Sequence, residues 1–226
     1  MSPAVKWIII ANVVMFFATL VYRPLIEYLG LSPELVIERQ WIWQPVTYMF
    51  LHGGPIHILF NMLGIWMFGV ELERLWRTRF FLKYYAVTGI GAGLTVIAVG
   101  LLPFAATAPT YEAITIGASG AFYGLLLAFA YYYPDRPILM FLLFPIPAKY
   151  FVIIVGAMAF LSAPGNQVSE AAHLGGLGIG YLYLRGGRGG LSAEIKYRYL
   201  KWKMNRLRRK FDVYSGGRSD WDRHVH

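Results

Sequence analysis

Cysteine is absent from the 226-residue chain, and charged residues are scarce. Without cysteine, the chain has no disulfide, no thiolate metal ligand and no cysteine nucleophile. Only 15% of the residues are charged and 57% are hydrophobic, whereas ordinary soluble domains are about 25% charged. This composition argues against a soluble globule and favours a protein embedded in a membrane. It also leaves the five histidines as the main candidates for acid–base chemistry.

The excess of basic residues is local. The formal net charge is +9, but twelve of the 21 lysines and arginines lie from Arg185 onward. We therefore predict a membrane domain over residues 1–184 and a basic cytoplasmic tail over residues 185–226. The tail is read either as a basic amphipathic helix on anionic lipid or as a plain cytoplasmic anchor. No base-reading motif accompanies the charge, so we expect no nucleic-acid partner.

Six apolar segments are candidates for membrane-spanning helices, which need about 20 apolar residues. They cover residues 5–22, 55–75, 80–102, 116–133, 148–161 and 168–184. The fifth is predicted to begin near Ala148, after a loop that contains Pro145 and Pro147. The fold class predicted from these segments is an all-α integral membrane protein.

Lysine and arginine place both termini on the cytoplasmic side, because these residues concentrate in cytoplasmic loops. With six spans and the N-terminus inside, nineteen of them fall in inside segments, and only Arg23 and Arg39 fall outside. The topology predicted is therefore N-in, C-in. The long outside loop over residues 23–54 contains Trp41 and Trp43, which are typical of the membrane interface.

Four polar side chains share one depth in the predicted spans. His57 and Asn61 lie near the start of span two, Ser119 near the start of span four, and His173 near the start of span six, and these three spans run in the same direction. Polar groups inside a membrane are functional by default. An imidazole can take the proton of a serine hydroxyl. His57 and Asn61, one helical turn apart, could donate hydrogen bonds to an oxyanion.

Glycines near Ser119 and His173 predict close helix packing. Gly120 and Gly124 have the same spacing as Gly176 and Gly180, and small residues at this spacing let membrane helices pack backbone to backbone. If these two faces meet, the serine and the histidine can approach to hydrogen-bond distance.

Carboxylates are missing where a catalytic triad would need one. The acids between Glu73 and Glu170 both lie in predicted loops, so the interpretation that remains is a Ser–His dyad. Glu73 is expected to form a helix-end ion pair with Arg74 or Arg77. Glu170, one turn ahead of His173, could approach the imidazole and favour its charged form. The reading we favour is that Glu170 ends the outside loop in water, where its charge at the start of span six suits the helix dipole.

These motifs resemble those of the rhomboid intramembrane serine proteases. The resemblance runs from about residue 5 to 184 and is carried by segments 57–61, 71–74, 117–124 and 172–180. It implies a six-helix bundle with a water-filled cavity open to the outside. It implies Ser119 as nucleophile, His173 as general base, Tyr123 as a packing partner of the His173 ring, and His57, Asn61 and the Ser119 backbone N–H as oxyanion donors. His52 matches a family histidine of the first outside loop.

The function implied is that of a rhomboid-type serine endopeptidase that cleaves transmembrane helices of protein substrates near the outer membrane face. We expect a multi-pass protein of a bacterial or archaeal cell (inner) membrane, in contact with membrane lipids, with no cofactor and no metal. The alternative is a catalytically inactive rhomboid-like protein that binds client transmembrane helices. Such proteins usually lack the serine or the histidine, and both are present here. A transporter would show paired repeats with broken helices and buried charges, and the sequence shows neither.

Overall fold

The computed structural model describes residues 2–105, 107–140, 144–161 and 167–187. Contacts between Cα atoms divide the chain into two units, Met1–Leu184 and Arg185–His226. The predicted basic tail coincides with the second unit, and all of it beyond residue 187 lies outside the described residues. The domain boundary itself stays a prediction.

The first helix, α1, spans Pro3–Val21. Its proline at the first helical position suits a helix start, because that N–H would have no helical partner. Val5 and Phe16 lie on its buried face, whereas Trp7 and Phe17 are at least 60% exposed. Exposed aromatic and aliphatic side chains along a helix of mean hydropathy 2.1 suit contact with lipid.

Residues 23–54 form short helices joined by turns. They are α2 (Leu25–Leu29), α3 (Pro33–Glu38), α4 (Gln44–Thr47) and a 3₁₀ turn at Tyr48–Phe50. The buried Gln44 side chain ties the segment together, because it accepts a hydrogen bond from the Ser32 N–H at 3.0 Å and donates one to the Glu27 carbonyl at 3.1 Å. The rings of Trp41 and Trp43 stack 5.7 Å apart.

Helix α5 spans Pro55–Gly100 and is broken at Arg77, where φ is 64° and ψ is 161°. A straight helix of 46 residues would be about 69 Å long, more than twice the thickness of the hydrocarbon core. A Cβ on Gly69 would lie 3.2 Å from the Phe81 ring, although twelve residues along a straight helix span about 18 Å. The chain therefore folds back at Arg77, between the second and third predicted spans.

The expected ion pair of Glu73 is wrong. Its carboxylate is buried and accepts hydrogen bonds from the N–H groups of Ala4 and Val5 at 3.0 and 3.1 Å, and from the Thr78 hydroxyl at 2.7 Å. The first N–H groups of a helix have no partner within it, so the start of α1 supplies donors that the sequence pattern did not reveal. The neighbouring Glu71 is the carboxylate that pairs with Arg74.

The next helices are α6 (Ala108–Glu112) and α7 (Ser119–Tyr132). Helix α7 begins three residues later than the predicted span, because Thr115 pairs with Leu31 in an isolated bridge and Gly117 has a φ of +127°. The α7 backbone packs closely on α5: the Tyr84 hydroxyl donates to the Gly124 carbonyl at 2.8 Å.

A two-stranded antiparallel hairpin follows α7 and departs from the all-α prediction. Strand β1 (Pro137–Met140) pairs with strand β2 (Phe144–Pro147), with Ile138 opposite Ile146. The prolines in this segment cannot donate a helical hydrogen bond, which favours extended backbone. The loop expected before the fifth span is therefore a hairpin.

The last two helices are α8 (Ala148–Leu161), which begins at the predicted residue, and α9 (Gln167–Gly187). By length and composition, α1 and α5 are the two described helices that could cross a membrane, and the apolar segments Ser119–Tyr132 and Ala148–Met158 are shorter.

Candidate active site

Ser119 is the first residue of α7 and follows an irregular segment that ends in a bend at Ala118. The outside loop fixes that segment: the N–H of Leu31 donates to the Thr115 carbonyl at 2.9 Å, and the N–H of Thr115 donates to the Leu31 carbonyl at 2.7 Å. The N–H of Gly117 donates to the Tyr48 carbonyl at 2.9 Å. The serine is therefore held from one side by the loop and from the other by the helix that it begins.

His173 lies on α9 and reaches Ser119. Its Nε2 atom is 2.9 Å from the serine Oγ, the contact that the shared depth and the glycine faces predicted. The glycines account for this closeness, because a Cβ on Gly176 would overlap the carbonyl oxygen of Gly120. The two backbones thus meet directly beside the serine–histidine pair.

Tyr123 stacks on the imidazole of His173. The ring centroids are 4.2 Å apart and the planes differ by 5°. Tyr123 lies one helical turn after Ser119, so α7 presents both side chains to the same histidine. The stack fixes the plane of a ring that has no carboxylate partner in the described part of the chain.

His57 and Asn61 face the same space from the start of α5. The N–H of Gly53 donates to His57 Nδ1 at 3.3 Å, so in the neutral ring the proton resides on Nε2. The Asn61 side-chain N–H₂ donates one hydrogen bond to the His57 carbonyl at 2.9 Å. Its second hydrogen and the Nε2–H of His57 are donors available to a ligand.

A cavity of about 320 Å³ joins these groups. Its polar side chains are those of His57, Asn61, Ser119, Tyr123 and His173, and its apolar walls include Ile56 and Phe60. Both apolar side chains are about two-thirds exposed, at 66% and 65%. The cavity therefore presents a serine hydroxyl, an imidazole and hydrogen-bond donors beside an apolar surface.

The N-terminus of α7 adds backbone donors to this cavity. No side chain caps the helix, and the first N–H groups of a helix have no partner within it. The helix dipole also places a partial positive charge at this end. The start of α7 is therefore suited to stabilise negative charge that develops next to Ser119.

His52 is buried behind the cavity, at 2% exposure. Its ring meets the His57 ring edge to face at a centroid distance of 4.9 Å. Burial, and secondarily the neighbouring His57, lowers the pKa of His52 to about 3. His52 is thus a neutral side chain that packs against His57.

The expectation that Glu170 faces water is wrong for one of its oxygens. The Oε1 atom is buried, and no hydrogen-bond partner for it occurs among the described residues. Helix α9 begins at Gln167, so Glu170 lies inside its first turn rather than in the preceding loop. In the described ranges, no group of three or more His, Asp or Glu side chains could hold a metal ion.

Two glycines contribute to the site in ways that the sequence analysis did not recognise. A Cβ on Gly117 would lie 2.8 Å from His57 Nε2, so only glycine fits here both by space and by its positive φ. Gly53 supplies the N–H that sets the His57 tautomer. Both glycines are recognisable as candidates from the sequence, since each lies just before a helix that carries a polar site residue.

Comparison with known proteins bears on this arrangement. The chain matches the Rhomboid domain family over residues 39–187. It is 29% identical over 161 residues to Rhomboid protein 1, mitochondrial, of Saccharomyces cerevisiae, which covers 68% of this chain and 45% of that protein. It is 32% identical over 145 residues to Rhomboid protease GluP of Bacillus subtilis, which covers 64% of this chain and 25% of that protein.

A third relative is of similar size. Putative rhomboid protease YdcA of Bacillus subtilis is 31% identical over 150 residues, which covers 65% of this chain and 67% of that protein. The chain spans less than half the length of the first two relatives.

Proposed function

The chain belongs to the rhomboid family of helical integral membrane proteins, and on that premise we propose that it is an intramembrane serine endopeptidase. Ser119 and His173 form its catalytic dyad. The observation that carries this proposal is the 2.9 Å contact between Ser119 Oγ and His173 Nε2 inside a cavity with unused hydrogen-bond donors. Relatives named as rhomboid proteases support the same class of activity.

The dyad carries out hydrolysis in two stages. His173 Nε2 takes the hydroxyl proton of Ser119 while Oγ attacks the carbonyl carbon of the scissile peptide bond. The imidazolium then gives that proton to the leaving amine, and the carbon–nitrogen bond breaks to leave an acyl-enzyme. Water then attacks the ester carbon while His173 takes one of its protons. The imidazolium returns that proton to Ser119 Oγ as the bond between Oγ and the carbon breaks, which releases the new carboxyl terminus.

Negative charge on the attacked carbonyl oxygen is stabilised by donors on two helices. His57 offers its Nε2–H, Asn61 its second side-chain N–H, and Ser119 its backbone N–H. These donors are held in place before the substrate binds, because Gly53 fixes the His57 tautomer at 3.3 Å and the Asn61 amide is anchored at 2.9 Å. Preorganised donors of this kind usually supply a large share of catalysis.

Tyr123 takes the positioning role that an aspartate has in a triad. The imidazole must keep Nε2 directed at Ser119 while its other nitrogen carries the proton. A stacked ring at 4.2 Å restricts rotation of the imidazole without adding charge. This suits a membrane site, where a buried carboxylate would be costly.

Substrates are proposed to be transmembrane helices of other proteins. A helix that unwinds near its end could lie against Ile56 and Phe60, with its exposed peptide bond at Ser119. We also propose six spans in N-in, C-in topology, which places the cavity toward the outer face. The proposed location is a bacterial or archaeal cell membrane, with residues 185–226 as a cytoplasmic tail.

The test is labelling by a fluorophosphonate probe combined with cleavage of a model transmembrane substrate. Ser119→Ala and His173→Ala should each abolish both signals, because the probe needs the same activated hydroxyl as the substrate. Leu174→Ala is the matched control on α9, since Leu174 is 36% exposed and lies outside the cavity lining. The unfolding midpoint of each variant shows whether it is folded.

A folded His173→Ala variant that is labelled and cuts as fast as the wild type would contradict the dyad. If the wild-type protein binds a transmembrane peptide but is neither labelled nor active, the chain is instead the inactive, client-binding rhomboid-like protein.

A further inference from the structure

A second recess lies away from the Ser119 cavity, and we call it the arginine groove. It has a volume of about 550 Å³ and is bounded by the segment of α5 before Arg77, by the later part of α7 and by strand β1. Phe129, which lines it, is ten residues after Ser119 on α7, a rise of about 15 Å. The two cavities share no lining residue.

One rim of the groove carries more positive than negative charge. The Glu71 carboxylate is shared by Arg74, at 3.5 Å, and by Arg136, at 3.3 Å. The two arginine side chains are 69% and 49% exposed, so the pairs are loose and one positive charge is left over. A guanidinium has five N–H donors, and each contact to Glu71 uses one nitrogen.

The Arg136 guanidinium is also held from behind. It lies 5.7 Å from the ring centroids of both Phe129 and Tyr133. Such stacking orients the planar group while leaving its edge free to bind. The rim therefore has a fixed, partly unneutralised cation suited to an oxyanion such as a phosphate.

The wall and floor of the groove are apolar. Trp66, Met67 and Leu139 stand on the wall and are 49%, 39% and 52% exposed. The floor is formed by buried residues, namely Phe68, Phe129 and Ile138. A ligand that matches this surface has an anionic head next to the arginines and a hydrocarbon chain along the wall.

We propose that the arginine groove is a binding site for an anionic phospholipid. Its phosphate contacts Arg74 and Arg136, and one acyl chain lies along Trp66, Met67 and Leu139. Basic pockets between membrane helices on the cytoplasmic side are a recognised setting for anionic lipid headgroups. The assignment of the arginine groove to the cytoplasmic leaflet rests on the topology proposed above. The binding of the lipid to the groove does not depend on that topology. The lipid would bridge α5 and β1, which leads through the hairpin to α8.

The experiment measures thermal unfolding of the full-length protein in maltoside micelles during titration with phosphatidylglycerol or phosphatidylcholine of identical acyl chains. Phosphatidylglycerol should raise the unfolding midpoint saturably and more than phosphatidylcholine, because only the former carries a net negative charge. Arg74→Gln and Arg136→Gln should each weaken its apparent affinity about fivefold, since one Lys or Arg near an anionic surface contributes about 1 kcal/mol. Neither measurement depends on proteolysis.

Lys149→Gln is the matched control for nonspecific charge. Lys149 pairs with Asp135 at 2.7 Å and does not line the groove, so its replacement should leave the lipid response unchanged. Arg136→Lys, which keeps the charge but not the fork of donors, should fall between wild type and Arg136→Gln. If an Arg136 variant fails to fold, Arg74→Gln still tests the proposal, because Arg74 is the more exposed of the two arginines.

Four outcomes would overturn the proposal. Phosphatidylglycerol and phosphatidylcholine could act alike, or Lys149→Gln could lose as much affinity as Arg74→Gln. Glycerol 3-phosphate, which has no acyl chain, could raise the midpoint as much as the lipid, which would make the groove a simple phosphate site. A transmembrane peptide that alone stabilises the protein through both arginines would make it a substrate contact.

Discussion

Replacing Gly176 with alanine should reduce the rate of peptide-bond hydrolysis by about 10²-fold, because about 1 Å of misplacement at a catalytic group can have that effect. The added Cβ would overlap the Gly120 carbonyl oxygen and lie 2.9 Å from its carbonyl carbon. Non-bonded carbon atoms pack at about 3.5–4.0 Å, so α7 and α9 must separate by roughly 0.6–1.1 Å. Ser119 adjoins Gly120, and His173 lies one turn before Gly176, so the shift is passed to the dyad.

The separation would lengthen the contact between Ser119 Oγ and His173 Nε2 from 2.9 Å to about 3.5–4.0 Å, beyond hydrogen-bond distance. The assay is turnover of a saturating transmembrane substrate, with the rate of fluorophosphonate labelling and the unfolding midpoint measured on the same sample. Gly176→Val should be more damaging, since its two further methyl groups enter the same crossing.

Gly178→Ala is the matched control, because it makes the same substitution two residues away on α9, where a Cβ would meet nothing within 4 Å. We expect an unchanged rate and a midpoint that is equal or slightly higher, since alanine is favoured over glycine in a helix by about 0.5–1 kcal/mol. A Gly176→Ala protein that matches the wild type in turnover and midpoint would refute the reasoning that this glycine sets the dyad distance.

Four further sets of variants test the site and its support. His57→Ala and Asn61→Ala should each slow turnover by about 10²–10³ without unfolding the protein; unchanged rates would exclude them as oxyanion donors. Gly117→Ala should lower both rate and stability, because its Cβ would lie 2.8 Å from His57 Nε2 at a φ that alanine avoids; kinetics and thermal unfolding measure the two effects. Glu73→Ala should destabilise the fold by about 1.5–3 kcal/mol per hydrogen bond to the charged carboxylate, and an unaltered denaturation midpoint would contradict this. Burial lowers the pKa of His52 from 6.5 to about 3, so below pH 6.5 the unfolded chain binds a proton that the folded one does not, and stability should fall as pH drops from 6.5 toward 3; His52→Gln should flatten that dependence.

The family and the identity of the candidate site residues could be predicted from the sequence, because both depend on local patterns. Apolar runs mark helices wherever they pack, and the histidine, serine and glycine motifs keep their spacing in the linear chain. The shared depth of His57, Ser119 and His173 follows from the predicted helix directions and stays a prediction.

The partners of charged groups could not be predicted in the same way. Glu73 was assigned to nearby arginines, yet its donors are backbone N–H groups at the start of α1, 68 and 69 residues away. The residue types in the sequence identify Lys and Arg, but they do not identify which backbone N–H groups act as donors. A prediction from residue type therefore favours an ion pair between side chains. The prolines before Ala148 predict a loop, whereas the pairing of β1 with β2 depends on a partner strand that proline content alone does not reveal.

The sequence by itself determined that this is a helical membrane protein and identified a serine, two histidines and an asparagine as candidate site residues, because hydropathy and spacing are properties of the chain. Only the tertiary structure decided the 2.9 Å contact between residues 54 positions apart, the φ of +127° at Gly117 and the His57 tautomer set by Gly53. Each depends on how closely two backbones approach. That distance is fixed by the packing of whole helices around glycines, which no local stretch of sequence specifies.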